Sequence, residues 1–247
     1  EKKLAKIKEI FAGKRIIMDL TSEEGLMSPE IDALYDPSNG YSNWTDFLNG
    51  LNDEKCFSEI IPSVIICAED ENIESGIAAQ VDKLTLTFNS IVYRSDIFDD
   101  NCYDDIDVIK KHLNGKKLIV VIDCSYILQA NISTYTEKVV ARINNLQKSI
   151  PTGTEIVVSG TSFPRTVTEI GNDDYDEFKL SEVVVAEELI RRGLHVDYSD
   201  YGSINPIRND DIILARGWVP RIDIPLKDFY LFQKYFFLFV TLVRSRL

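Results

Sequence analysis

Ten acidic, basic or hydroxyl side chains stand at or just past the ends of apolar runs. Asp19 follows Arg15-Ile16-Ile17-Met18, and Glu69 follows Val64-Ile65-Ile66-Cys67. Arg94 and Asp96 close Ser90-Ile91-Val92-Tyr93, and Asp123 closes Leu118-Ile119-Val120-Val121-Ile122. Ser159 and Ser162 follow Ile156-Val157-Val158, Asp200 ends the run after His195-Val196, and Arg221 and Asp223 lie in Gly217 to Ile224. In α/β proteins the carboxyl ends of buried strands are where ligands and chemistry sit. Asp19, Arg94, Asp123, Asp200, Arg221 and Asp223 therefore form the candidate catalytic set. Carboxylates facing two arginines could hold a divalent metal or orient a phosphate, because a hard cation takes oxygen ligands and Arg offers a planar fork. The same groups would serve equally well as an ion-pair network that fixes the end of a sheet.

Ser159-Gly160-Thr161-Ser162 is a second candidate, a ligand or phosphate cradle of hydroxyls and backbone N–H groups. Followed by Phe163-Pro164, it reads equally as a turn with hydroxyl caps. Ser-His-Asp catalysis has poor material: His195 falls at the start of its strand and His112 late in a helix. The acidic runs 99–107 and 171–177 lack the Gly and Glu positions of an EF-hand loop and read as solvated loops.

A net charge of −13 and a pI near 4.7 exclude loose, charge-driven binding to nucleic acid and disfavour an anionic membrane surface. Protein partners are the expected class. Four cysteines without CxxC spacing, two of them in apolar runs, indicate a reducing, cytoplasmic compartment. The longest apolar run, Tyr235 to Val243, is well short of the ~20 residues of a spanning helix.

The elements that must position these side chains alternate along the chain. Helical stripes are predicted at Leu4-Ile7-Ile10-Phe11, Trp44-Phe47-Leu48-Leu51, Ile77-Val81-Leu84-Phe88, Ile106-Ile109-Leu113 and Val139-Val140-Ile143-Leu146. A further helix runs from Ser181 to Gly193, inside the strand–turn–helix–strand stretch Thr154 to Asp200. Six apolar strands alternate with these helices, the pattern of a parallel sheet covered on both faces. Two short strand candidates follow, Gly217 to Ile224 and Phe229 to Phe232, separated by Pro225-Leu226. The expectation is a single domain over 1–247, a TIM-like (β/α) barrel whose first strand lies before Glu1. Its aromatic C-terminal segment, from about residue 227, is expected to pack on the barrel.

Three segments carry a family resemblance: Val157 to Pro164 (VVSGTSFP), Asp200 to Arg208 (DYGSINPIR) and Arg216 to Leu226 (RGWVPRIDIPL). Together with the strand ends IIMDLT, VYRSD and VVIDCSY, they resemble the beta protein family of bacteria and their phages. The family pattern opens with a short extended segment and a first strand not found here, and a polar, basic loop is expected where Phe236-Phe237-Leu238-Phe239 follows Lys234. The resemblance implies a recognition or effector component in phage–host conflict, an antiphage defence role, with the polar Asp/Arg rim as its working site. The alternative expectation is a metal-assisted hydrolase or transferase on phosphate esters or nucleotides, with a divalent metal as cofactor.

Overall fold

The computed structural model describes residues 2–67, 70–165, 175–202, 204–207, 221–227 and 229–234. The chain divides into two compact units. The first comprises Glu1–Asp123 and Val139–Val157; the second comprises Cys124–Lys138 and Val158–Leu247.

The first unit begins with α1 (Lys2–Ile10), β1 (Arg15–Met18), the short α2 (Pro29–Leu34) and α3 (Ser42–Asp53). Then come β2 (Glu59–Pro62), α4 (Ile73–Thr87), β3 (Ser90–Asp96), α5 (Cys102–His112) and β4 (Lys117–Tyr126). β1 and β2 are parallel, paired from Arg15 with Glu59 to Met18 with Pro62. Ser63 bridges to Val92 in parallel, and β3 pairs with β4 from Ser90 with Lys117 to Asp96 with Asp123. Ile61, Val92, Ile119 and Val121 form one buried cluster, with Val157 packed against it. On α3 the predicted stripe is the buried one: Trp44, Leu48 and Leu51 are inside, and Phe47 stacks on Trp44 at 5.8 Å between centroids.

Pro62 ends β2, so the buried backbone beyond it needs other partners. The Gln80 side chain of α4 supplies them, accepting from Ile65 N–H at 2.8 Å and donating to Ile65 O at 2.9 Å. Trp44 Nε1 donates to Ser63 O at 3.0 Å. Gly40, at φ +62°, lies where a Cβ would come within 2.5 Å of Ala79 Cβ. Positive φ and close backbone approach are both glycine's province.

α6 (Ile132–Leu146) and β5 (Glu155–Thr161), like β4, run through the division between the units. The second unit adds β6 (Tyr175–Lys179), α7 (Ser181–Arg191), β7 (Asp197–Asp200), β8 (Arg221–Pro225) and β9 (Phe229–Lys234). The strands form a two-stranded sheet β1-β2, a four-stranded sheet β3-β4-β5-β7 and a three-stranded sheet β6-β9-β8. In the last, β9 runs antiparallel to both neighbours. Phe163, Leu180 and Tyr230 form its buried cluster, with Phe178 stacked on Tyr230 at 5.2 Å.

The expected TIM-like barrel is therefore corrected. Among the described residues there are parallel sheets and an antiparallel one but no closed barrel, which would need eight parallel strands. The physical reason lies in the connection between β8 and β9. Residues 226–228 alone join them, and a parallel return needs a crossover of about a dozen residues. The chain can only double back, with Leu226 N–H donating to Phe229 O at 2.9 Å to close the hairpin.

Candidate functional site

The ends of β1, β3 and β4 bring three predicted residues together in the first unit. Arg94 donates through Nε to Asp19 Oδ2 at 2.7 Å and through Nη1 to Asp123 Oδ2 at 3.0 Å. Parallel pairing explains the meeting: β1 pairs with β2, Ser63 just past β2 bridges to Val92, and β3 pairs with β4, so Asp19, one residue past β1, comes level with Arg94 and Asp123 toward the carboxyl ends of β3 and β4. The burial of the three is graded, with side chains 35% exposed at Arg94, 28% at Asp19 and 9% at Asp123. Asp123 is thus the carboxylate that depends most on its guanidinium partner.

Asp19 and Arg94 of this triad line a cleft of about 870 Å³. Its described walls carry seven carboxylates (Asp19, Glu74, Asp96, Asp99, Asp104, Asp105 and Asp107) against two cations, Arg94 and Lys111. Asp96, opposite Asp123 in the β3–β4 register, accepts from Phe98 N–H at 2.7 Å, and Asp99 accepts from Asn101 N–H at 3.0 Å. Both carboxylates thereby shape the turn that leads into α5. Tyr35 donates to Leu20 O and Thr21 O at 3.4 and 3.3 Å. Burial, reinforced by the charge of Asp19, pushes its phenol up to about 12.

Tyr93 donates to Asp105 Oδ2 at 2.6 Å at the buried side of the cleft. Burial holds the Asp105 carboxyl above its ordinary range, Asp99 and Asp104 add to that, and the Tyr93 hydrogen bond works against it. Burial and the Asp105 charge both raise Tyr93. Behind the cleft, Arg142 of α6 is 6% exposed and donates to Ile97 O at 2.9 Å and Asp99 O at 2.8 Å. It also contacts Cys102 Sγ at 2.5 Å and lies over the Tyr103 ring. One guanidinium so fixes the loop that carries the acidic wall.

Sequence reasoning missed Tyr93, Asp105 and Arg142, although Arg142 and Tyr93 each left a signal. Arg142 interrupts the apolar stripe of Val139, Ile143 and Leu146, and an arginine on a buried face must have acceptors. Tyr93 sits inside an apolar strand, where a phenol O–H calls for a partner.

The remaining candidates belong to the second unit. Ser159 and Thr161 are buried in β5. Thr161 Oγ1 accepts from Phe163 N–H at 3.0 Å. Gly160 admits the Ile127 side chain, whose Cδ1 would lie 2.7 Å from an added Cβ. Ser162 Oγ accepts from Ser181 N–H at 3.2 Å and donates to Lys179 O at 3.1 Å. Asp200 is exposed and accepts from Tyr198 OH and Gly202 N–H, both at 2.7 Å. Asp223 is half-buried in β8; Arg221 opens that strand, and its side chain, like the whole of Glu69, lies outside the described residues.

Among the described residues no group of three or more His, Cys, Asp and Glu side chains could hold a metal ion. No helix among them is long and apolar enough to cross a membrane. Arg94 engages carboxylates on two sides, so its fork faces acids rather than an open anion site. A cleft lined this way attracts cations and repels phosphate oxygens. No curated protein and no solved structure matches the chain. The profile of the family described as Beta protein matches residues 1–236, so the chain belongs to that family.

Proposed function

We propose that this Beta protein family member is a recognition component whose cleft in the first unit takes up a basic segment of a protein partner. The observation that carries the reading is the lining, seven carboxylates against two cations, one of which is Arg94, bonded to Asp19 and Asp123. The setting we propose is phage–host conflict, as the family resemblance implies: the partner is a host or phage protein whose binding triggers or delivers defence. Asp104 and Asp107 are exposed on α5 and meet the incoming Lys and Arg side chains. Asp105 and Tyr93 form the buried end of the wall. The Asp19–Arg94–Asp123 triad fixes the strand ends.

Calorimetric titration of the full chain with a Lys/Arg-rich peptide, and with an acidic peptide of equal length, tests the reading. Binding of the basic peptide alone, weakening as salt rises toward physiological strength, is expected. Equal binding of both peptides, or none of either, would count against it. In cells, Asp104→Asn/Asp107→Asn should reduce protection against phage without lowering the melting temperature.

A further inference from the structure

We propose that Glu182 is a proton-operated latch in the second unit: as a neutral acid it docks the start of α7 against the end of β5, and on ionisation it lets that contact go. Glu182 is the second residue of α7, is 5% exposed, and its Oε2 meets no hydrogen-bond partner. A charge spread onto a buried, unpartnered oxygen is costly, whereas the neutral acid is tolerated. Its polar neighbour Ser162 stands just past β5 and already holds the helix start on two sides, accepting from Ser181 N–H and donating to Lys179 O. The one Ser162 proton is shared between Lys179 O and Glu182, so a carboxylate at this position has an incomplete donor.

The groups facing Glu182 add to this. From β7 come Asp200 and Tyr198, bonded to each other at 2.7 Å, and Tyr230 of β9 couples to Tyr198. At the far end of α7, Glu188, Arg191, Arg192 and Glu137 pair among themselves. Burial is the largest influence on Glu182 and raises it above its ordinary value of 4.5, with the charge of Asp200 in the same direction. Hydrogen bonds with Ser162 and with the backbone N–H groups of Glu182 and Ser162 oppose it, as would the helix N-terminus.

The sign follows from linkage. Above 4.5 the unfolded chain has released a proton that folded Glu182 retains, so stability falls as pH rises until the folded group ionises too. Thermal unfolding of the full chain and amide exchange over Ser181–Val185, between about pH 5 and 8, read this directly. Relative to Glu182→Gln, a neutral isostere, the wild type should lose roughly 3–5 °C of melting temperature per pH unit for as long as folded Glu182 keeps its proton, with faster exchange at the start of α7 once it is released. Asp200→Asn should move the release to lower pH. Parallel curves for wild type and Glu182→Gln would overturn the proposal, as would a Gln variant whose α7 start exchanges fast at every pH. Should Glu182→Gln fail to fold, an unshifted release in Asp200→Asn would overturn it alone.

Discussion

Replacing Arg94 with methionine removes the guanidinium of the triad while keeping an apolar stem of similar length. Two ion pairs are lost, and their exposure sets their weights. The Asp19 arm joins groups 35% and 28% exposed, where solvent screening leaves an ion pair worth under about 1 kcal/mol. The Asp123 arm ends on a carboxylate only 9% exposed. Removing one partner of a buried pair costs about 3–5 kcal/mol, because the other charge stays behind. With Arg94 itself one-third exposed, a loss of about 2 kcal/mol on this arm is the reasonable share, giving about 2–3 kcal/mol in all. Urea unfolding at 25 °C should show this as a lower midpoint at unchanged slope. Asp123→Asn introduced into the Arg94→Met background should then cost much less than in the wild type, the two sites being coupled. A loss below about 1 kcal/mol, or strict additivity of the two changes, would refute the argument that Asp123 is held by Arg94.

Three further outcomes follow from the geometry. Tyr93→Phe deprives buried Asp105 of its 2.6 Å donor and should cost about 1–3 kcal/mol by denaturant unfolding, with weaker uptake of a basic peptide. Arg142→Met should cost about 3 kcal/mol, since it leaves the carbonyls of Ile97 and Asp99 without their donor; amide exchange should rise first at residues 97–101. Gly40→Ala should cost about 2–4 kcal/mol in the same assay, because a left-handed alanine at φ +62° would also meet Ala79 Cβ at 2.5 Å.

How far the fold could be read from the sequence depended on where each signal was local. The apolar runs ending at Met18, Tyr93 and Ile122 marked β1, β3 and β4, and a polar residue at each end marked the triad, because parallel strands in register deliver their ends to one level. β6 was harder. Tyr175–Lys179 reads YDEFK at the end of an acidic run, and its strand state comes from pairing with β9, fifty or more residues away in sequence. The hairpin, by contrast, was legible and misread: three residues between β8 and β9 exclude a parallel return whatever the rest of the chain does. The start of α7 shows the limit of cap signals. Ser181 is the first helical residue, and its N–H is met by Ser162 from the end of β5, a partner no local window contains. The acidic wall was visible as composition in residues 99–107, but its role depends on the burial of Asp105 and on the reach of Arg142 from α6, both products of packing.

The claim everything else serves is that the cleft selects its partner by charge, and reversing that charge tests it most directly. Asp104→Lys/Asp107→Lys alters two exposed side chains of α5, at a cost to the helix start of about 0.3–1 kcal/mol at Asp104, which lies in the first turn. Titrated against the two peptides, this variant should lose the basic peptide and gain the acidic one, while its melting temperature stays near that of the wild type. Retention of the basic peptide at unchanged affinity by the folded variant would contradict the account.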